Sequence, residues 1–146
     1  RIIVDATKDL LLHTLPFHPF LIKPNRQELE ELFQVSLENR RAVIPYGQKL
    51  LAQGARNVLI SMAGEGAVLV AADGKVYETA APAGNLVNSV GAGDAMLAGF
   101  MAGYLEREEY GHAFRMGVAT GSASAYSEGF ATRQEVEALY PQICCL

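Results

Sequence analysis

Residues 88–100 read NSVGAGDAMLAGF, a glycine-rich turn followed at once by a helical pattern of small and apolar residues. Gly91 and Gly93 flank a small alanine, so the backbone can curl until consecutive N–H groups converge. The helix that starts there adds its unpaired first amides and the positive end of its dipole. This pattern predicts a site that holds a phosphate, or the charge of a phosphoryl group during transfer.

Asp94 is the unexpected member of this turn, because its carboxylate would repel a bound anion. Its presence there is explained if it has a chemical role of its own. Accepting the proton of an attacking hydroxyl group is such a role, and an anion site beside a base indicates phosphoryl transfer. The alternative is that Asp94 only complements the helix dipole, worth about 0.3–1 kcal/mol, while the glycines serve a tight turn. The residues of the turn leave both interpretations open.

Apolar periodicity and turn residues predict alternating strands and helices along the whole chain. Strands are expected near residues 1–5, 20–23, 58–61, 67–72 and 75–79, with Asp73-Gly74 as a turn between the last two. Helices are expected near residues 8–15, 26–34, 39–53, 92–105, 111–126 and 132–140. This order, without an internal repeat or linker, predicts a three-layer α/β/α fold with a doubly wound sheet. The small residues of the helix at 111–126 predict close packing.

Composition narrows the classes of protein to which the chain can belong. Half of the 146 residues are apolar, enough for a packed core. The net charge of −4 and the scattered lysines and arginines argue against a nucleic-acid partner. No apolar run reaches the roughly 18 residues of a membrane span. The two cysteines, Cys144 and Cys145, are adjacent and cannot frame a zinc site, so a reducing, cytoplasmic location is expected.

Two further segments combine turn chemistry with polar side chains. Asn25 and Glu28 have the spacing of a helix-capping box. Without other information, the sequence favours this purely structural role for the two residues. Residues 61–66 read SMAGEG directly after an expected strand, where doubly wound sheets place ligands. A plain glycine-rich turn between two strands is the alternative for that segment.

The turn at 88–100 closely resembles the second signature of the PfkB (ribokinase-like) carbohydrate kinases. Three other segments resemble elements of that family in the family's order: residues 21–28 (LIKPNRQE), 58–67 (VLISMAGEGA) and 121–127 (GSASAYS). The resemblance covers nearly the whole chain. Asn88-Ser89 and the last segment are most similar to the 1-phosphofructokinase group, with the tagatose-6-phosphate kinases next.

The resemblance implies an ATP- and Mg²⁺-dependent transfer of the γ-phosphoryl group to a ketohexose phosphate, namely fructose 1-phosphate to fructose 1,6-bisphosphate. Tagatose 6-phosphate is the alternative acceptor. By the same resemblance, Asp94 is the catalytic base and the amides of Gly91, Ala92 and Gly93 stabilise charge. Asn25 and Glu28 handle the metal through water. The implied nucleotide-binding residues are Ser61, Met62, Ala63, Gly64, Glu65, Gly66, Gly93 and Asp94.

The match begins about halfway along the family's catalytic domain, and the chain opens on Arg1-Ile2-Ile3-Val4-Asp5 without methionine. Residues 1–146 are therefore expected to be the C-terminal part of one kinase domain, without the lid and most of the sugar site. A non-catalytic, nucleotide-binding fragment is the alternative function. A homodimer is possible for the full-length parent. His13, His18 and His112 show no convincing partner in the sequence and are interpreted as structural or solvated.

Overall fold

The computed structural model describes residues 1–5, 8–88, 90–128 and 131–143. The chain divides into two compact units, Arg1–Glu78 and Thr79–Leu146. Ser89, Cys144 and Cys145, on which part of the sequence interpretation rests, lie outside the described residues.

A mixed five-stranded sheet, with strand order β1-β2-β3-β4-β5, forms the centre of the first unit. Its strands are β1 (Ile3–Val4), β2 (Leu21–Ile22), β3 (Val58–Ser61), β4 (Ala67–Val70) and β5 (Val76–Thr79). The β1–β2 and β2–β3 pairs are parallel, and the β3–β4 pair is antiparallel. Residues 71–75 form the tight turn between β4 and β5, where Gly74 takes φ 84° and Ala71 N–H donates to the Lys75 carbonyl.

Three helices belong to the same unit: α1 (Lys8–Thr14), α2 (Arg26–Phe33) and α3 (Arg40–Ala52). Their apolar side chains share one buried cluster with one face of the sheet, which contributes Ile22, Val58, Ile60, Val68 and Val70. α3 approaches the sheet closely at Gly47, where a Cβ atom would lie 2.7 Å from a methyl group of Val70. Such burial is the main source of stability, at roughly 25 cal/mol per Å² of apolar surface.

The second unit contains the helices α4 (Ala92–Arg107), α5 (Tyr110–Ala125) and α6 (Arg133–Leu139). α4 and α5 touch through glycines. A Cβ atom on Gly99 would lie 2.7 Å from the Met116 carbonyl oxygen, and one on Gly117 would lie 3.0 Å from the Met96 carbonyl oxygen. The close packing predicted from small residues is therefore confirmed.

The expected α/β class is confirmed, since each expected strand and helix has a counterpart. Their ends differ by a few residues at most. The structure shortens the first two strands to two residues each and extends α4 to Arg107. Among the described residues, none of the helices combines the length and apolar character that crossing a bilayer requires.

Candidate functional site

The carboxyl ends of the parallel strands bring four polar residues of the first unit to one edge of the sheet. Asp5 follows β1, Lys23 and Asn25 follow β2, and Ser61 ends β3. The Lys23 Nζ lies 3.9 Å from Asp5 Oδ1, and the lysine side chain is only 11% exposed. Asn25 and Ser61 form a parallel β-bridge, and Ser61 N–H donates to the Pro24 carbonyl at 3.2 Å. The segments that contain Asn25 and Ser61, far apart in sequence, are thus neighbours.

Asn25 and Glu28 form the capping box of α2. Glu28 N–H donates to Asn25 Oδ1 at 2.7 Å, and Asn25 N–H donates to Glu28 Oε2 at 3.3 Å. The Asn25 side-chain amide also donates to Glu28 Oε1 at 3.2 Å. The structural role therefore exists as the spacing predicts. Each carboxylate oxygen has a second lone pair, so the same glutamate can accept a hydrogen bond from metal-bound water.

Residues 62–66 form a tight loop whose glycines have different tasks. Gly66 adopts φ 100° and ψ −137°, a region open essentially to glycine alone. Gly64 is exposed, and a Cβ atom placed on it would meet nothing within 4 Å. The backbone at Gly64 is thus open to a ligand, whereas Gly66 is required by the turn itself.

Two arginines fasten this loop through Glu65. Arg26, the first residue of α2, forms a salt bridge at 3.0 Å with Glu65 Oε2. Arg40, the first residue of α3, donates to the Glu65 carbonyl oxygen at 2.8 Å. The Glu65 side chain, expected to face nucleotide, is therefore engaged with Arg26. Ala63 and Gly64 are exposed beside it.

The turn before α4 has the geometry of an anion-binding site. Gly91 caps the helix in the left-handed region, at φ 81°, and no side chain caps the helix. The first helical bond runs from Ala95 N–H to the Gly91 carbonyl at 2.9 Å. The N–H groups of Ala92, Gly93 and Asp94 consequently have no acceptor within the helix. A Cβ atom on Gly91 would meet nothing within 4 Å, so the approach to the turn is open.

Asp94 is exposed in the first turn of α4, beside these amides. Both interpretations of the sequence require that position, because a first-turn carboxylate is at the positive end of the helix. Asn88 Oδ1 accepts from Val90 N–H at 3.0 Å and shapes the chain just before the turn. The assignment of Asp94 as a base stays a prediction.

Two of the histidines have partners that the sequence did not indicate. His112 is buried, with Nδ1 2.8 Å from the Tyr140 hydroxyl and Nε2 3.5 Å from Glu106 Oε2. His18 Nδ1 lies 3.0 Å from the Gly54 carbonyl oxygen. The expected lack of a partner is wrong for both, whereas a structural role fits them. Local sequence patterns could not reveal these two contacts, since Tyr140 is 28 residues from His112 and Gly54 is 36 residues from His18.

Sequence reasoning also left Asp5 and Lys23 without a role. Each closes an apolar strand pattern with a charge, and the carboxyl ends of parallel strands meet at one sheet edge. That pattern could have identified the pair. Within the described part of the chain, no group of three or more His, Cys, Asp or Glu side chains could hold a metal ion. The oxygen donors of Asn25 and Glu28 are of the type that suits Mg²⁺ through its retained waters.

A helix N-terminus with a glycine cap and without a side-chain cap suits the binding of a phosphate or another anion. The model of the pfkB family carbohydrate kinases matches residues 2–136. The chain belongs to this family.

The chain is 44% identical over 143 residues to the 1-phosphofructokinase of Bacillus subtilis (strain 168), covering 98% of this chain and 47% of that protein. It is 36% identical over 148 residues to a D-tagatose-1-phosphate kinase of Bacillus licheniformis, with the same coverage. A crystal structure of a Staphylococcus aureus protein superposes with a TM-score of 0.94 at 37% identity, covering all of this chain and 47% of that one. The chain thus spans about half the length of the proteins it matches.

Proposed function

We propose that the protein containing this chain is an ATP-dependent phosphosugar kinase that converts fructose 1-phosphate to fructose 1,6-bisphosphate. The observation that carries the proposal is the N-terminus of α4, where three amides without a helical acceptor adjoin the Asp94 carboxylate. An anion site beside a base suits the attack of a hydroxyl group on a phosphoryl group. Membership of the carbohydrate kinase family supplies the substrate class.

In the proposed reaction, the sugar 6-hydroxyl oxygen attacks the γ-phosphorus of ATP while Asp94 accepts the hydroxyl proton. The new O–P bond forms as the bond from the γ-phosphorus to the bridging oxygen breaks, and its electron pair leaves with ADP. The amides of Ala92 and Gly93, which have no acceptor within the helix, stabilise the charge on the transferring group together with the amide of the cap residue Gly91. Such preorganised donors are each worth about 100- to 1000-fold in rate.

In the first unit, Ser61, Ala63 and Gly64 at the exposed sheet edge are proposed to bind nucleotide. In the second unit, Gly93 and Asp94 keep the nucleotide-binding role that the family resemblance implies for them. Met62, Glu65 and Gly66 support this role by shaping the loop. The Lys23 ammonium group, which lies at the same sheet edge, adds a positive charge suited to phosphate. Asn25 and Glu28 would hold Mg²⁺ through water, and the bound ion would neutralise phosphate charge.

D-tagatose 1-phosphate is the second candidate acceptor, because relatives at 36% and 35% identity are named D-tagatose-1-phosphate kinases. Tagatose differs from fructose in the configuration of one hydroxyl group, and a pocket discriminates such epimers through the hydrogen bonds that it offers. Tagatose 6-phosphate stays a third acceptor to be tested. The alternative of a non-catalytic nucleotide-binding fragment applies to the 146 residues alone.

Residues 1–146 are proposed to be the C-terminal part of one kinase domain, in which the remaining part supplies the lid and most of the sugar contacts. A cytoplasmic location and a homodimeric parent protein belong to the same proposal.

A coupled assay of ADP formation tests the proposal on the complete gene product and on residues 1–146, with Mg²⁺. The acceptors are fructose 1-phosphate, tagatose 1-phosphate, tagatose 6-phosphate, fructose 6-phosphate and no sugar. We expect turnover by the complete protein to be greatest with fructose 1-phosphate and absent without sugar. A higher kcat/KM for a tagatose phosphate would identify that sugar as the acceptor instead of fructose 1-phosphate. The absence of sugar-dependent turnover would refute the proposed kinase activity.

A further inference from the structure

Tyr126 directly follows α5 and contacts the segment at residues 82–88, which precedes the glycine turn. Its hydroxyl donates to the Pro82 carbonyl oxygen at 2.5 Å, across 44 residues of chain. Its half-buried ring covers Gly84 so closely that a Cβ atom there would lie 2.3 Å from two ring carbons. The Tyr126 side chain therefore contacts this segment in two ways, through a hydrogen bond to the Pro82 carbonyl and through packing of its ring on Gly84.

The backbone beside Tyr126 continues the same contact. The Ala125 carbonyl oxygen accepts from Val87 N–H at 2.9 Å and from Asn88 N–H at 3.0 Å. Beyond the turn, a Cβ atom on Gly121 of α5 would lie 3.1 Å from the Ala92 carbonyl oxygen. The last turns of α5 thus contact the chain on both sides of Gly91.

The turn itself offers little to hold it in place. Gly91 has a left-handed backbone with open space where a side chain would be, and α4 has no side-chain cap. Val90 and Val87 are exposed, at 82% and 51%. Because internal packing is sparse, the position of the three amides depends on the neighbouring segment.

We infer that Tyr126 is a positioning residue for phosphoryl transfer, which fixes the turn that presents the amides of Ala92, Gly93 and Asp94. This inference rests on the proposed function. Tyr126 acts through Pro82 and Gly84 and has no assigned contact with a substrate. Since a misplacement of about 1 Å can cost on the order of 100-fold in rate, losing the hydroxyl should lower kcat more than it changes substrate binding.

The test compares Tyr126→Phe with Tyr140→Phe in the complete gene product. Tyr140→Phe is a matched control, because it also removes a hydrogen-bonded hydroxyl from the second unit, but one that contacts His112 near the start of α5. We expect Tyr126→Phe to lower kcat about 3- to 30-fold, with KM for ATP and sugar within about twofold. Tyr140→Phe should keep the wild-type kcat.

Hydrogen–deuterium exchange provides a readout that does not need activity. Amides of residues 85–95 should exchange faster in Tyr126→Phe and at the wild-type rate in Tyr140→Phe. Gly84→Ala approaches the same contact from the loop side, because the new methyl group would collide with the Tyr126 ring. It should reproduce both effects, and it serves if Tyr126→Phe does not fold.

A wild-type kcat in Tyr126→Phe, beside an inactive Asp94→Asn, would overturn the inference and leave the kinase assignment intact. A lower melting temperature with unchanged kcat would also overturn it, since that is a purely structural effect. If the wild-type protein phosphorylates no acceptor, the proposed function fails. The exchange rates of residues 85–95 then still decide whether Tyr126 fixes the turn.

Discussion

Asp94 carries the proposed chemistry at the scale of single residues, because it is the carboxylate beside the amides of Ala92 and Gly93 in α4. Replacing it with asparagine keeps the shape and the polar first turn but removes the base. We expect Asp94→Asn to lower kcat by about 100- to 10,000-fold, with a smaller change in KM. Steady-state kinetics of the complete protein measure this.

Asp73→Asn is the matched control for that variant. It makes the same change at an exposed turn, where an asparagine oxygen can still accept from Lys75 N–H as Asp73 Oδ1 does at 2.9 Å. The control should retain the wild-type rate. Near-normal turnover in Asp94→Asn would show that the carboxylate only complements the helix dipole.

The α4–α5 pair shows at the scale of elements why small residues are required. A Cβ atom on Gly99 would lie 2.4 Å from Thr120 Oγ1 and 2.7 Å from the Met116 carbonyl oxygen. A backbone carbonyl cannot rotate away, so the helices must separate. We expect Gly99→Ala to lower the free energy of unfolding by about 1–3 kcal/mol, as measured by denaturant titration.

Gly64→Ala is the control for the glycine argument, since its added Cβ would meet nothing within 4 Å. Its free energy of unfolding should stay within about 0.5 kcal/mol of the wild-type value. If Gly99→Ala and Gly64→Ala lower the free energy of unfolding equally, then the close contact between α4 and α5 is not the cause of the loss.

The start of α6 contains a second capping box, formed by Thr132 and Glu135. The Ser127 hydroxyl also donates to the Glu135 carboxylate. The Ser127 hydrogen bond, followed by those from the Thr132 backbone and side chain, holds the pKa of the exposed Glu135 carboxyl below its usual value. All of these contacts favour the ionised form.

Stability therefore depends on pH at this helix start. A lowered folded-state pKa contributes stability above the unfolded-state pKa, and the contribution is lost as pH falls through the folded-state value. We expect Ser127→Ala to raise the pKa of Glu135 towards its usual value. The stability difference from wild type should shrink in acid, below the ordinary glutamate range.

NMR titration of the Glu135 carboxyl carbon measures that pKa directly. Ser124→Ala is the control, because Ser124 is not among the groups that shift Glu135. An unchanged Glu135 pKa in Ser127→Ala would mean that the Thr132 contacts alone lower it.

At the scale of the whole molecule, the first unit depends on one buried asparagine that joins distant segments. Asn57 Nδ2 donates to the Phe20 carbonyl oxygen at 2.9 Å, and its Oδ1 accepts from Ala72 N–H at 2.9 Å. Asn57→Ala would leave both backbone groups without this partner. We expect a loss of about 2–4 kcal/mol in the free energy of unfolding.

Denaturant unfolding of Asn57→Ala and Asn85→Ala measures the effect. Asn85 is exposed, so its variant should stay within about 0.5 kcal/mol of wild type. A loss equally small in Asn57→Ala would show that water replaces the missing hydrogen bonds.

The amino-acid sequence by itself determined the positions of the strands and helices, because apolar periodicity and capping residues are local signals. The Asn25–Glu28 box and the glycine at φ 81° before α4 follow from three- to seven-residue patterns. The resemblance to the carbohydrate kinases rested on the same short motifs and is confirmed at the level of the family.

Only the tertiary structure decided which distant residues meet. Four contacts join residues that are 28 to 44 positions apart in the sequence. They are the Asn25–Ser61 bridge, the Arg26–Glu65 salt bridge, the His112–Tyr140 hydrogen bond and the Tyr126–Pro82 hydrogen bond. No local pattern encodes such pairs, because they form only when packing of the apolar cores brings their elements together. The sequence therefore specified the glycine turn before α4, and the folded chain specified which distant residues contact the segment beside that turn.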